Sequence, residues 1–148
     1  MRSIRSIRQP QNRVSADASL ALVRQAWEHI AAGDFEALLE IFADDIDWII
    51  PDMPNVPFAG RWRGRNGVQQ FFRVVAEVQE TLEFTPDQFL AQSETVVVLG
   101  RFSNRVKATG KRSNSEWVQV WTARDGKLVK MQEYVDTLAV SSAFNDCD

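Results

Sequence analysis

The sequence predicts an α+β domain in which one curled sheet, antiparallel or mixed, wraps around three N-terminal helices. Three observations carry that prediction. Apolar residues recur at helical spacing through much of the first half of the chain. From Leu82 onward the pattern turns strand-like in four successive runs. Tight-turn signals, and no helical stretch, separate the last three of these runs. A sheet that hides the apolar sides of three helices must curl around them, leaving a cone-shaped cavity between the two layers.

Each element follows from its own residues. Ser15-Ala16-Asp17 supplies capping groups before Leu20, Val23, Ala26, Trp27 and Ile30, and Gly33 ends that first helix. Asp34 caps a second, shorter helix with Phe35, Leu38, Leu39 and Phe42 on its apolar side. Residues 44–50 alternate and favour β structure until Pro51 stops them. Residues 51–67 hold three prolines and three glycines and read as a long loop, a kind of segment that often carries function. A third helix then presents Val68, Phe71, Phe72, Val75 and Val78. Strands are expected over 82–91, 95–106, 113–123 and 128–135, with turns at Thr109-Gly110-Lys111 and Asp125-Gly126. Residues 137–144 add a short final helix. Residues 1–17 read as a flexible basic leader, 18–144 as one domain and 145–148 as a tail.

Composition removes several kinds of chemistry. With one histidine (His29) and one cysteine (Cys147), the 148-residue chain supports no disulfide framework, no Cys/His zinc cluster and no Cys–His nucleophile pair. Carboxylates, arginines, amides and hydroxyls remain, and no metal or cofactor is expected. The net charge of −3 hides an acidic body: beyond the first eighteen residues, 13 basic side chains face 19 acidic ones. That balance argues against nucleic acid as a partner. No apolar run is long enough for a membrane span, and the basic N-terminus lacks the apolar centre of a secretory signal. A cytoplasmic protein is expected.

Three stretches carry a family resemblance: AAGDFEALLEIFADDIDW, FAGRWRGRNGVQQFF and VQVWTARDGKLVKMQEYVDT. Together they resemble the nuclear transport factor 2-like superfamily, and within it the SnoaL-like proteins, over about residues 18–144. The resemblance implies a cystatin-like α+β barrel and a pocket for an apolar small molecule. It also implies a homodimer paired through the outer sheet face, where Val118, Val120 and Tyr134 would otherwise stay wet. Strand alternation puts Trp117, Gln119 and Trp121 on one face, and Met131 and Glu133 on one face of the next strand. By resemblance these faces look into the pocket, with Trp48 and Phe72 as further lining residues.

One fold hosts several chemistries, so the resemblance has to be tested residue by residue. Ketosteroid isomerases need a tyrosine, a carboxylate base and a proton donor; the corresponding positions here are Ala26, Ile50 and Gln119, and none matches. Limonene epoxide hydrolases pair an Arg-x-Asp with an aspartate on the last strand. Glu133 takes the last-strand place and Arg101 the arginine's once one residue is gapped, but Ser103 stands where the partnering acid should be. Trp48 and Ile50 replace the residues that hold the water. SnoaL-type cyclases carry their base near the end of the last strand, where this chain has Glu133 and Asp136, and Gln119 replaces a histidine common among relatives.

The resemblance therefore implies a cofactor-independent isomerase, cyclase or hydrolase acting on an apolar cyclic or polyketide-like substrate. Glu133 is the expected base, with Asp136 assisting and Gln119 and Arg101 stabilising charge on oxygen. Plainer roles stand beside each of these. Asp136 at a strand-to-helix junction suits an N-cap, Arg101 suits a surface ion pair, and Gln119 suits a backbone partner. Trp27 suits core packing, Trp62 a lid or an interface anchor, and His29 an exposed position. The alternative function is a non-catalytic binding or assembly domain, its cavity filled by Trp117, Trp121 and Met131 and its Glu133 neutralised by Arg101.

Overall fold

Helix α1 (Arg2–Ala32) turns Val23, Ala26 and Trp27 into the protein interior, as its apolar spacing requires. The computed structural model describes the backbone of residues 2–146 and the side chains of residues 16–146. The start expected at Ser15-Ala16-Asp17 falls inside this helix. The basic leader expected over residues 1–17 rests on side chains that lie almost wholly outside the described ones, and Cys147 lies outside them too. Gly33 ends α1 at φ +70°, a conformation that suits glycine, with its N–H bonded to the Ile30 carbonyl. Asp34 then caps α2 (Phe35–Glu40), its carboxylate accepting from the Ala37 N–H at 3.2 Å.

Two local expectations change. Phe42 does not extend the apolar side of α2; it is the first residue of strand β1 (Phe42–Ile50) and fully buried. The loop expected over 51–67 ends early, because Gly60–Arg63 form a short strand β2 that pairs with β1, Trp62 opposite Trp48. Helix α3 (Gly64–Val78) starts directly behind it. Four residues with arginine at every second position carry too little periodicity to announce a strand. What remains of the loop is well anchored: Met53, Val56 and Phe58 are buried in the core.

The other strands are β3 (Gln79–Gln92), β4 (Thr95–Val106), β5 (Arg112–Arg124) and β6 (Lys127–Val135), and α4 (Thr137–Ala143) closes the described fold. The sheet order is β2-β1-β6-β5-β4-β3, with β1 and β6 parallel and every other pair antiparallel. β2 and β3 are left as edges, so the sheet curls around the helices without closing into a barrel. Asp125 and Gly126 both take positive φ (53° and 76°), the geometry a two-residue Asp-Gly hairpin needs. The core lies between the concave face of the sheet and helices α1 and α3, with Trp117, Trp121, Phe42 and Met131 among its largest fully buried side chains.

Candidate functional site

Strand alternation and register bring the two central residues together. β5 and β6 pair with Gln119 opposite Glu133, Trp121 opposite Met131 and Trp117 opposite Val135. Trp117, Gln119, Trp121 and Met131 are almost completely buried, so this set of side chains points to the concave face. Glu133, two residues after Met131, shares that face and is partly buried. Parallel pairing of β1 with β6 sets Trp48 opposite Met131, and so brings Ile50 alongside Glu133.

A hydrogen-bond relay runs across this face. The Trp121 indole N–H donates to Gln119 Oε1 at 3.0 Å, and Gln119 Nε2 donates to Glu133 Oε1 at 3.0 Å. The carboxyl of Glu133 sits among protein groups that replace its water, and this loss of solvation raises its pKa from 4.5 to about 7; the Gln119 hydrogen bond pulls in the opposite direction. Among the described residues no cation pairs with Glu133. The result is a carboxyl group that changes protonation near neutrality beside an amide donor, the combination required for general acid–base work.

The structure does not bring Arg101 to this carboxylate. On β4 the even-numbered residues are buried and the odd ones face outward, so Arg101 stands on the far side of the sheet. There it pairs with Glu83 at 3.2 Å and Asp87 at 2.8 Å. Neither a role for Arg101 in the site nor neutralisation of Glu133 by it fits that geometry, because a gap in the alignment cannot change which face of a strand a residue occupies. Asp136 is also engaged elsewhere. Its exposed carboxylate caps α4, accepting from the Ala139 N–H at 3.0 Å. His29, in the last turn of α1, is half-buried where an exposed position was expected.

Of the five residues expected to line a pocket, Trp48, Trp117, Trp121 and Met131 are buried, and Phe72 is partly buried against the core. Trp48 makes ring contacts of 5.6 Å with Phe71, Phe72 and Trp121. Trp117 stacks on Trp27 at 5.1 Å and on Phe84 at the same distance, while Met131 is fully buried. These side chains belong to the core cluster on the concave face of the sheet. Two shallow depressions on the surface, one lined by Leu90, Ala91 and Val97 and the other by Phe35, Leu39 and Arg65, do not include Glu133.

Two features escaped sequence reasoning. Phe84 joins the Trp27–Trp117 stack although polar residues surround it in the sequence. Gly100 lies flat beneath the Trp117 ring, where a Cβ would collide with both that ring and the Thr85 carbonyl oxygen. A glycine inside the run VVVLGRF was the available signal.

Comparison with known proteins agrees with this architecture. Residues 23–131 match the SnoaL-like domain. The chain belongs to the SnoaL-like domain family. An NTF2-like protein of Burkholderia xenovorans LB400 superposes on this SnoaL-like domain with a TM-score of 0.80 and 34% identity, covering 88% of this chain and 98% of that one. The structure of TerC co-crystallised with polyporic acid gives 0.74 at 25% identity, covering 86% and 98%. An uncharacterised protein of Mycobacterium tuberculosis (strain ATCC 25618 / H37Rv) is 26% identical over 129 residues, 86% of this chain and 96% of its own length. Glu133 lies two residues beyond the family match, so its role rests on geometry. No helix among the described residues of the SnoaL-like domain is long and apolar enough to cross a membrane.

Proposed function

We propose that this SnoaL-like domain is a cofactor-independent enzyme that moves a proton on an apolar cyclic or polyketide-like carbonyl compound, with Glu133 as the general base. One observation carries the reading: a carboxyl group titrating at about 7, free of any cation among the described residues, with an amide donor fixed on one of its oxygens. Oε2 takes the proton from a carbon next to a carbonyl group, and the C–H electron pair moves toward the carbonyl oxygen. Gln119 carries a second N–H, which suits the negative charge developing there. Return of the proton to another carbon completes an isomerisation; attack of the enolate on a second carbonyl forms the ring bond and an alkoxide, which takes the proton back from Glu133 to complete a ring closure. Neither step changes the oxidation state of the whole, so neither calls for a redox cofactor. Polyporic acid in TerC supports a small organic ligand for this architecture.

A second reading, a binding or assembly domain without turnover, draws on the tryptophans that fill the interior. A panel of cyclic ketones and polyketide-like metabolites, scored by melting temperature and by mass-spectrometric turnover, decides between them. Under the enzymatic reading Glu133→Gln keeps the thermal shift and loses turnover. Turnover that survives Glu133→Gln removes the base assignment, and ligands that shift the melting temperature without any turnover favour the binding domain.

The reading also includes a cytoplasmic homodimer. The outer face of the sheet presents Leu90, Val97, Leu99, Val118, Val120 and Tyr134, none of them fully buried, and Leu90 and Tyr134 are each 50% exposed. A second copy on that face would remove these groups from water.

A further inference from the structure

We infer that Trp121 is a positioning residue for Glu133: its indole N–H locks the Gln119 amide with nitrogen toward the carboxyl group, leaving Glu133 Oε2 as the oxygen that exchanges protons. The inference rests on the reading of Glu133 as the base and adds how that base is oriented.

The argument starts from what each group is able to do. An indole N–H only donates, so the atom of Gln119 that meets it must be the carbonyl oxygen. That choice fixes the whole amide, because turning it by half a revolution would set NH₂ against the indole N–H and carbonyl against carboxylate. Both hydrogen bonds would be lost in a place where Gln119 and Trp121 have almost no access to water. Trp121 itself is held by Phe42 at 6.1 Å and by Trp48 edge-on at 5.6 Å, so the donor does not swing away. With Nε2 on Oε1, the bond is stronger to the ionised carboxylate and is still made to the acid protonated on Oε2. The relay stays intact through a proton-transfer cycle.

The other tryptophans set Trp121 apart. Among the described residues the buried indole nitrogens of Trp27, Trp48 and Trp117 have no hydrogen-bond partner, and Trp62 donates to the backbone carbonyl of Phe58. Among the five, the Trp121 N–H is the one directed at a side chain that touches the carboxyl group.

Among the described residues, burial and the Gln119 hydrogen bond set the protonation of Glu133, with no charged side chain among the causes. The neighbours of Glu133 on the inner face are Ile50 on β1, Met131 and Val135 on β6, and Trp117, Gln119 and Trp121 on β5. Helix α4 carries no charge, its cap Asp136 is exposed, Asp52 at the start of the following loop is exposed, and Lys130 lies one residue from Met131 on the opposite face of β6.

The test uses the full chain with ¹⁵N-labelled indoles and ¹³Cδ-labelled glutamate, followed by NMR from pH 4 to 9. The Glu133 carboxyl and the Trp121 indole are expected to move with one midpoint. In Gln119→Leu the carboxyl should still titrate while the indole no longer follows it. In Trp121→Phe the freed amide turns its carbonyl toward the protonated acid, and the Glu133 midpoint should rise by roughly half a unit or more. An indole that stays still while Glu133 titrates overturns the inference, as does a Trp121→Phe midpoint equal to that of the parent. If Trp121→Phe does not fold, the two indole measurements decide. A parent midpoint near 4.5 would remove Glu133 as the base and this inference with it, whereas a midpoint near 7 that ignores Trp121→Phe removes the role of Trp121 alone.

Discussion

Gln119 donates its amide to Glu133 at 3.0 Å from the position directly opposite on the neighbouring strand. Both side chains are on the concave face because each strand alternates, and they meet because the β5–β6 register puts them side by side. This contact lowers the carboxyl pKa while desolvation raises it, and desolvation wins. The balance leaves a carboxyl group raised from 4.5 to about 7.

That balance predicts a pH-dependent stability. The unfolded chain releases this proton near 4.5 and the folded chain near 7, so between those values the folded state binds more protons. Glu133 therefore contributes its full stability below about 4.5 and loses it as pH rises through 7. Glu133→Gln, which keeps an acceptor for Gln119, should match the parent at pH 4.5 and exceed it at pH 8 by on the order of 2 kcal/mol, a figure reduced because the residue is partly exposed. Urea unfolding at the two pH values checks this; equal stability of the two proteins at pH 8 would contradict it.

Arg101 and Asp136 should behave as surface and capping residues. The side chain of Arg101 is 53% exposed in its pairs with Glu83 and Asp87, so Arg101→Ala should change stability by less than about 1 kcal/mol. Asp136→Ala removes the N-cap of α4 and should cost about 1 kcal/mol. Neither substitution should move the Glu133 midpoint by NMR. A clear displacement by Arg101→Ala would mean that the two groups interact after all.

Gly100 should tolerate no side chain. A methyl group there meets the Trp117 ring on one side and the Thr85 backbone carbonyl on the other, and the backbone has little room to retreat within the β3–β4 ladder. Gly100→Ala is expected to destabilise the protein by about 3 kcal/mol or to prevent folding. A denaturation midpoint within experimental error of the parent would show that the stack of Trp27, Phe84 and Trp117 rearranges freely.

The proposed pairing through the outer sheet face predicts a dimer at micromolar concentration in sedimentation velocity. Val120→Asp, which puts a charge at the centre of that face, should give a monomer with unchanged circular dichroism. A parent chain that sediments as a monomer would rule out the pairing.

Most of the fold was legible in the chain because its signals are local. Gly33-Asp34 and Asp125-Gly126 set boundaries through backbone preference, and alternation placed Trp117, Gln119, Trp121 and Glu133 on their faces. Along β4 the same alternation turns Val96, Val98 and Phe102 in and Arg101 out, which matching Arg101 to an Arg-x-Asp pattern did not take into account. β2 was illegible, since four residues take strand form only when Trp62 finds Trp48 across the ladder.

The sequence by itself determined the class of fold, held too few histidines and cysteines for a Cys/His cluster, and through its family resemblance pointed to Glu133 as the carboxylate to watch. Tertiary structure alone decided its partner, its protonation and the state of the interior. Those three depend on what stands across a strand register or fills a volume, quantities set by residues 14 to more than 80 positions apart. Trp48, Trp117 and Trp121 read equally well as pocket lining or as packing until their rings met. Glu133 read equally well as paired or free until the register set Gln119, locked by Trp121, against it.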